Sequence, residues 1–270
     1  MGEFEFQAPA TLAEALGLLG AEGAFALGGG TSLVLMLKQD LVPASRVVWL
    51  GRIPELHGIR HDAAGGLVLG ATTTMAELAR SSDVRRLHPA LAAAAEQIGN
   101  PRVRAVATVG GALAHADPRQ DLPPVLLALG AAVTVQGPAG TRSVPLAGFF
   151  RSLMETALAD GELVTSVSVP PPAPGQRECY LRFNPGSVDD FPTVGVAARA
   201  VLDESGAISD LAVALGGVAP VPILIREAPT DAAEAAERAC DPVDDRRGSA
   251  AYKRAMARVW TRRALAQLLG

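Results

Sequence analysis

The sequence predicts an α+β protein in two parts: an N-terminal region of two subdomains, then a small C-terminal unit with a sheet and helices on one face. Three observations carry that expectation. Apolar residues switch repeatedly between alternating and helical spacing along 270 residues, enough chain for two or three units with cores of their own. Two glycine turns, Gly28-Gly29-Gly30-Thr31-Ser32 and Thr108-Val109-Gly110-Gly111, fall one in each half of the longer region. A proline cluster, Pro170-Pro171-Pro172-Ala173-Pro174-Gly175, makes the best boundary in the chain. The expected limits are 1–170, divided into 1–56 and 57–170, followed by 175–270.

Element by element, Phe4 and Phe6 mark a short alternating strand. Thr11-x-x-Glu14 reads as a capping box for a helix whose apolar face is Leu12, Ala15, Leu16 and Leu19. Ala24 to Leu27 is a buried strand entering the first glycine turn, Leu33 to Lys38 a helix, and Arg46 to Leu50 a second strand, together a βαβ-like unit. The next unit starts near Ile59, with a strand at Leu67 to Gly70 and a helix capped by Thr74-x-x-Glu77. An alanine-rich helix spans Pro89 to Ile98, and Ala105 to Val109 enters the second glycine turn as a strand-like stretch. A helix follows Asp121, and Val133 to Val135 and Arg142 to Val144 flank a Gly137-Pro138-Ala139-Gly140 turn. Ser166 to Val169 alternates as a strand before the prolines. Beyond them, Val194 to Leu202 and Ile208 to Leu215 are strands joined at Asp203-Glu204-Ser205-Gly206, and helices start near Asp231 and Ser249.

The glycine turns carry the chemistry. Bare backbone amides in succession form an anion-binding nest, and glycine keeps side chains out of the ligand's way while allowing positive φ. Each charge-assisted hydrogen bond is worth roughly 1.5–3 kcal/mol, so donors from two loops can hold a dinucleotide without a covalent link. The dinucleotide fingerprint needs a third glycine where this chain has Leu33, and no Gly-Lys-Ser/Thr of a Walker loop follows.

Composition excludes several classes. Net charge is −4, and the densest basic stretch, Lys253 to Arg263, reads as a solvated helix face opposite Trp260, Ala264 and Leu268, so no nucleic-acid partner is expected. The run from Leu122 to Val135 is interrupted by Pro123, Pro124 and Gly130, which argues against membrane insertion. Met1-Gly2-Glu3-Phe4-Glu5 lacks the basic and apolar regions of a signal peptide, and Phe6 breaks a myristoylation motif; a cytoplasmic location is expected. Cys179 and Cys240 cannot supply the four thiolates of an iron–sulfur cluster, and His57, His61, His88 and His115 form no metal-ligand pattern. Any redox chemistry must come from an organic cofactor.

In this order and spacing the residues resemble a known family. The anchors are Gly28 to Leu33, Arg52-Ile53-Pro54-Glu55-Leu56, Gly99-Asn100-Pro101-Arg102-Val103-Arg104, Thr108 to Gly111 and His115-Ala116-Asp117-Pro118. Asp121-Leu122-Pro123, Val194-Gly195-Val196-Ala197 and Arg247-Gly248-Ser249-Ala250-x-Tyr252-Lys253 complete the set. Nearly end to end, the chain is similar to the FAD-binding medium subunit of molybdenum hydroxylases, the xanthine dehydrogenase and carbon monoxide dehydrogenase group. That resemblance implies a two-subdomain FAD-binding (PCMH-type) fold and a C-terminal domain of the carbon monoxide dehydrogenase flavoprotein type.

The resemblance also assigns residues. Gly28, Gly29, Gly30, Thr31, Ser32 and Leu33 would line the FAD diphosphate on one side, and Thr108, Val109, Gly110 and Gly111 on the other. Asp121 corresponds to an aspartate near the flavin's sugar or ribityl hydroxyls; its alternative is an N-cap for the following helix. Val164 falls where the family has an apolar residue against the flavin, or is plain strand core; Arg182 falls where relatives carry a lysine near the cofactor, or is a surface arginine. Relatives often have Asn or Asp where Ala112 stands, so that position offers only its amide, with His115 or water replacing the lost contact. Relatives also carry arginines where this chain has Asn184 and Gly186. The implied role is electron transfer through FAD, with no general acid or base on this chain. The implied partners are a molybdenum-cofactor large subunit and a 2Fe–2S small subunit, in a dimer of heterotrimers. A stand-alone FAD oxidoreductase, and a scaffold that has lost FAD, are the alternatives.

Overall fold

The computed structural model describes residues 3–187 and 189–270; Met1 and Gly2, which open the leader and myristoylation motifs, lie outside them. The first subdomain runs β1 (Glu5–Gln7), α1 (Leu12–Leu19), β2 (Ala24–Leu27), α2 (Leu33–Lys38) and β3 (Arg46–Trp49). Its three strands are parallel in the order β1-β3-β2. Thr11 caps α1 by accepting the Glu14 N–H at 3.3 Å, but the Glu14 carboxylate takes the Ala10 N–H at 3.0 Å, so the box is displaced by one residue. Ala15 and Leu19 of α1 pack on Val48, Leu50, Ile53 and Leu56. β2 is half-buried rather than buried, because it forms an edge of this small sheet.

The second subdomain contains β4 (Ile59–His61), β5 (Leu67–Gly70), α3 (Met75–Arg80), α4 (Ser82–Leu87), α5 (Pro89–Gln97), α6 (Pro101–Arg104), α7 (Val109–His115) and α8 (Leu122–Ala128). Then come β6 (Ala132–Gly137), β7 (Gly140–Pro145), the short hairpin β8 (Phe150–Ser152) and β9 (Glu155–Thr156), and β10 (Leu163–Val169). The main sheet is antiparallel, ordered β4-β5-β10-β6-β7, so the last strand inserts at its centre. Thr74 forms the full capping box with Glu77 that its spacing predicts.

The C-terminal part contains β11 (Gln176–Phe183), β12 (Val194–Leu202), β13 (Ile208–Gly216), β14 (Ile223–Ile225), α9 (Ala232–Ala239) and α10 (Ala250–Leu269). The strands form one antiparallel sheet in chain order. Val196, Ala198, Val213 and Leu215 pack toward Ala236, Ala257 and Ala264 of the two helices. The opposite face is covered too: Tyr180, Ala197 and Ala214 join the core that holds Leu91 of α5 and Leu126 of α8. In α10, Ala264 and Leu268 are buried as their spacing predicts. Lys253 departs from the solvated face assigned to it: it is buried, and its Nζ donates to the Val243 carbonyl at 2.7 Å and lies 2.8 Å from Asp245.

Candidate functional site: a glycine cradle between the subdomains

The first loop leaves the carboxyl end of β2 beside the carboxyl end of β3, where Leu27 pairs with Trp49. Parallel strands bind ligands in the crevice beyond such ends. Gly30 has φ +74°, the left-handed region that glycine enters without penalty. Gly28 and Gly29 are glycine for a different reason. A Cβ on Gly28 would lie 2.6 Å from Thr108 Oγ1, and one on Gly29 would lie 1.6 Å from the Val106 carbonyl oxygen. Their bare α-carbons let the first loop press against the segment that opens the second, so the two motifs meet in one place.

Among the described residues, no N–H from Gly28 through Leu33 donates a hydrogen bond to the protein, and Ser32 caps nothing with its side chain. These residues are half-buried. Backbone N–H groups are strong donors, and without a protein acceptor these stay available to water or to a ligand. A diphosphate supplies the missing acceptors, so this loop fits the group.

The second turn differs from the bare backbone that its glycines suggest. It is the start of α7, and its amides are spent: Val109 N–H on Thr73 O (3.0 Å), Gly110 N–H on Ala71 O (2.8 Å) and Ala112 N–H on Thr108 O (2.9 Å). Gly111 N–H donates to Thr108 Oγ1 at 3.2 Å. Gly110 is glycine for packing, since its Cβ would sit 2.6 Å from that of Ala71. Val109 is fully buried. The stretch before the turn is itself a turn off the end of α6 rather than a strand, with Ala107 N–H on Val103 O at 2.8 Å and a single bridge between Thr74 and Thr108. What this segment contributes is a wall, the Thr108 hydroxyl and the exposed Gly111.

Asp121 caps no amide of α8 with its side chain, which removes the N-cap reading. Its carboxylate is buried at the seam with the C-terminal sheet, accepting the Tyr180 hydroxyl at 2.6 Å and lying 3.3 Å from Arg182 Nε. Burial pushes its pKa up from 3.8 to about 6, against the opposing pull of Arg182 and Tyr180. Arg182 is no surface arginine: its side chain is buried and donates to the carbonyls of Gln97 and Asp190. Val164 is 3% exposed and part of the main core, so the strand-core reading describes its side chain. His115, half-buried in α7, has its pKa lowered by burial, with Asp117 pulling the other way.

Sequence reasoning missed the residues that close the site. Val106, Ala71 and Thr73 enter only through long-range contacts, and Tyr180 sits on β11, a strand not anticipated because its charged positions obscure its alternation. Among the described residues there is no group of His, Cys, Asp or Glu able to hold a metal ion, and no helix long and apolar enough to cross a membrane.

Residues 2–172 match the FAD binding domain in molybdopterin dehydrogenase, and residues 180–268 match the CO dehydrogenase flavoprotein C-terminal domain. The chain belongs to this family of FAD-binding subunits. It is 37% identical to the carbon monoxide dehydrogenase medium chain of Hydrogenophaga pseudoflava, across 97% of this chain and 96% of that one. It is 33% identical to the 6-hydroxypseudooxynicotine dehydrogenase complex subunit alpha of Paenarthrobacter nicotinovorans, across 98% and 94%. Its fold superimposes with a TM-score of 0.94 and 35% identity on carbon monoxide dehydrogenase from Hydrogenophaga pseudoflava lacking the Mo-pyranopterin moiety of its cofactor, covering 99% and 97% of the two chains.

Proposed function

We propose that this chain is the FAD-carrying medium subunit of a molybdenum hydroxylase complex and holds the cofactor's diphosphate where the two loops meet. The observation that carries the reading is the half-buried row of unpaired N–H groups from Gly28 to Leu33, pressed against Val106 and Thr108. FAD, when bound, supplies the two-electron redox chemistry. The chain's own residues position it. Gly28, Gly29, Gly30, Thr31, Ser32 and Leu33 donate backbone hydrogen bonds to phosphate oxygens, and the Thr108 hydroxyl and exposed Gly111 form the facing wall. Asp121 and Arg182 act from behind the site, tying the C-terminal sheet to the FAD-binding domain through Tyr180.

Both cysteines are buried, and burial lifts their thiols to about 11 for Cys179 and about 12 for Cys240. With only two such thiols, the iron–sulfur and molybdenum centres belong on partner chains, a 2Fe–2S small subunit and a molybdenum-cofactor large subunit, assembled as a dimer of heterotrimers in the cytoplasm. The substrate belongs to the large subunit: the two relatives compared above serve carbon monoxide and 6-hydroxypseudooxynicotine dehydrogenases.

Purification of the tagged chain from its native host tests the reading. The expected result is a yellow complex containing a large and a small partner, releasing FAD on denaturation. A yellow chain without partners would favour the stand-alone oxidoreductase. A colourless chain with partners, taking up no added FAD, would favour the scaffold.

A further inference from the structure

The two walls of the cradle stand on different subdomains, and the chain leaves the first for the second between the 3-10 turn Pro54–Leu56 and β4. Gly58 is the corner of that passage. Its φ is +98°, in the left-handed region, and a Cβ there would meet nothing within 4 Å. Glycine is needed at this position for its backbone angle and not for room. Thr73 holds the corner. Its side chain is fully buried, and its Oγ1 accepts the Gly58 N–H at 3.0 Å and donates to the Gly58 carbonyl at 3.0 Å. A hydroxyl carries one donor and two acceptor sites, so a single side chain occupies both polar groups of the corner residue. The neighbouring bonds run the same way: the Thr72 N–H and hydroxyl both donate to Leu56 O, at 2.8 and 2.9 Å.

Thr73 also reaches the cradle. Its carbonyl accepts the Val109 N–H at 3.0 Å, and Thr74 beside it bridges to Thr108. Thr108 Oγ1 is the atom that a Cβ on Gly28 would approach to 2.6 Å. From the corner to the first glycine loop the path is Gly58, Thr73, Val109, Thr108, Gly28. Every step along it is a hydrogen bond, a peptide bond or a close approach.

We propose that Thr73 is a positioning residue for the FAD site: by pinning Gly58 to the segment that carries Val109, it sets the separation of the Gly28–Leu33 loop from the Thr108–Gly111 wall. Being fully buried, it acts through Gly58 and Val109. Valine has the shape of threonine without the hydroxyl, and would leave the corner's N–H and carbonyl without that partner. The inference rests on the cradle reading above and deepens it: FAD affinity becomes dependent on one hydroxyl outside both glycine loops.

The test is a titration of the deflavinated full-length chain with FAD, well below the melting temperature of every variant, for the wild type, Thr73→Val, Thr73→Ser and Gly58→Ala. A change that only weakens the fold lowers the melting temperature and leaves this affinity alone. Thr73→Val should weaken FAD binding by about tenfold, as the binding-competent arrangement of the two walls becomes a minor one. Thr73→Ser, which keeps the hydroxyl, should restore most of it. Gly58→Ala strains the same corner through its positive φ and should weaken binding in the same direction. If the wild type binds FAD and Thr73→Val matches it, the Thr73 inference falls and the cradle stands. If Val and Ser weaken binding equally, the hydroxyl is not what positions the walls and the inference also falls. Should Thr73→Val fail to fold, Gly58→Ala decides, and an unchanged affinity there overturns the inference. If the wild type takes up no FAD, the cradle reading itself falls and takes the inference with it.

Discussion

Gly29 is the residue at which sequence and structure constrain each other most tightly. A methyl group there would sit 1.6 Å from the backbone oxygen of Val106, which is not the end of a flexible side chain. Gly29→Ala should therefore cost about 1–3 kcal/mol as an overpacking change and abolish stoichiometric FAD retention, read by thermal melting and flavin content. Gly111→Ala meets only the Thr108 hydroxyl, at 2.7 Å, and should be milder on both readouts. Asp121 makes a pH prediction. Its folded pKa of about 6 exceeds the ordinary 3.8, so the folded state binds the extra proton. Its contribution to stability is full below about pH 4 and is lost as pH rises through about 6. Asp121→Asn should flatten that part of the stability–pH curve, measured by denaturant unfolding. Cys179 and Cys240, with thiols raised by burial, should resist alkylation at pH 8 in the native protein and react once it is unfolded.

Among the elements, what was legible in the sequence was whatever local chemistry dictates. The Thr74–Glu77 box and the Gly137–Gly140 hairpin follow from nearest-neighbour rules and are present; of the α10 stripe, Ala264 and Leu268 are buried and Trp260 is half-buried. The first glycine loop was legible as a row of open amides for the same reason, and among the described residues no protein acceptor meets them. The second was half legible: its glycines predict close approach, but the approach is of Ala71 to Gly110, and the acceptors for its amides come from Ala71 and Thr73 on a distant segment. Nothing in the residues around Thr108 names those partners. β11 escaped because Arg177, Glu178 and Arg182 break its apolar alternation: Arg177 donates to the Leu268 carbonyl of α10, while Glu178 and Arg182 work at the seam between sheet and FAD-binding domain. Tyr180 of that strand gives the prediction proper to this scale. Tyr180→Phe removes the donor to Asp121 and should cost about 1.5–3 kcal/mol, with faster proteolysis near the Pro170–Pro174 boundary as the structural readout.

For the whole molecule, the seam ties the C-terminal sheet to the FAD-binding domain through Tyr180, Arg182 and Asp121. Its helices cover one face and α5 and α8 cover the other, so the sheet is a wedge in a continuous core rather than an appended module. The glycine loops in turn join the two N-terminal subdomains through the close approach of Gly28 and Gly29 to Thr108 and Val106, and the proposed cradle requires both. Hydrogen exchange of the full chain with and without FAD tests that claim most directly, read at the individual amides of both loops. The amides of Gly28 to Leu33, which lack acceptors in the protein, should gain strong protection with FAD, while those of Val109 and Gly110, already bonded to Thr73 and Ala71, should change little. Unchanged exchange from Gly28 to Leu33 in a chain that demonstrably holds FAD would contradict the cradle.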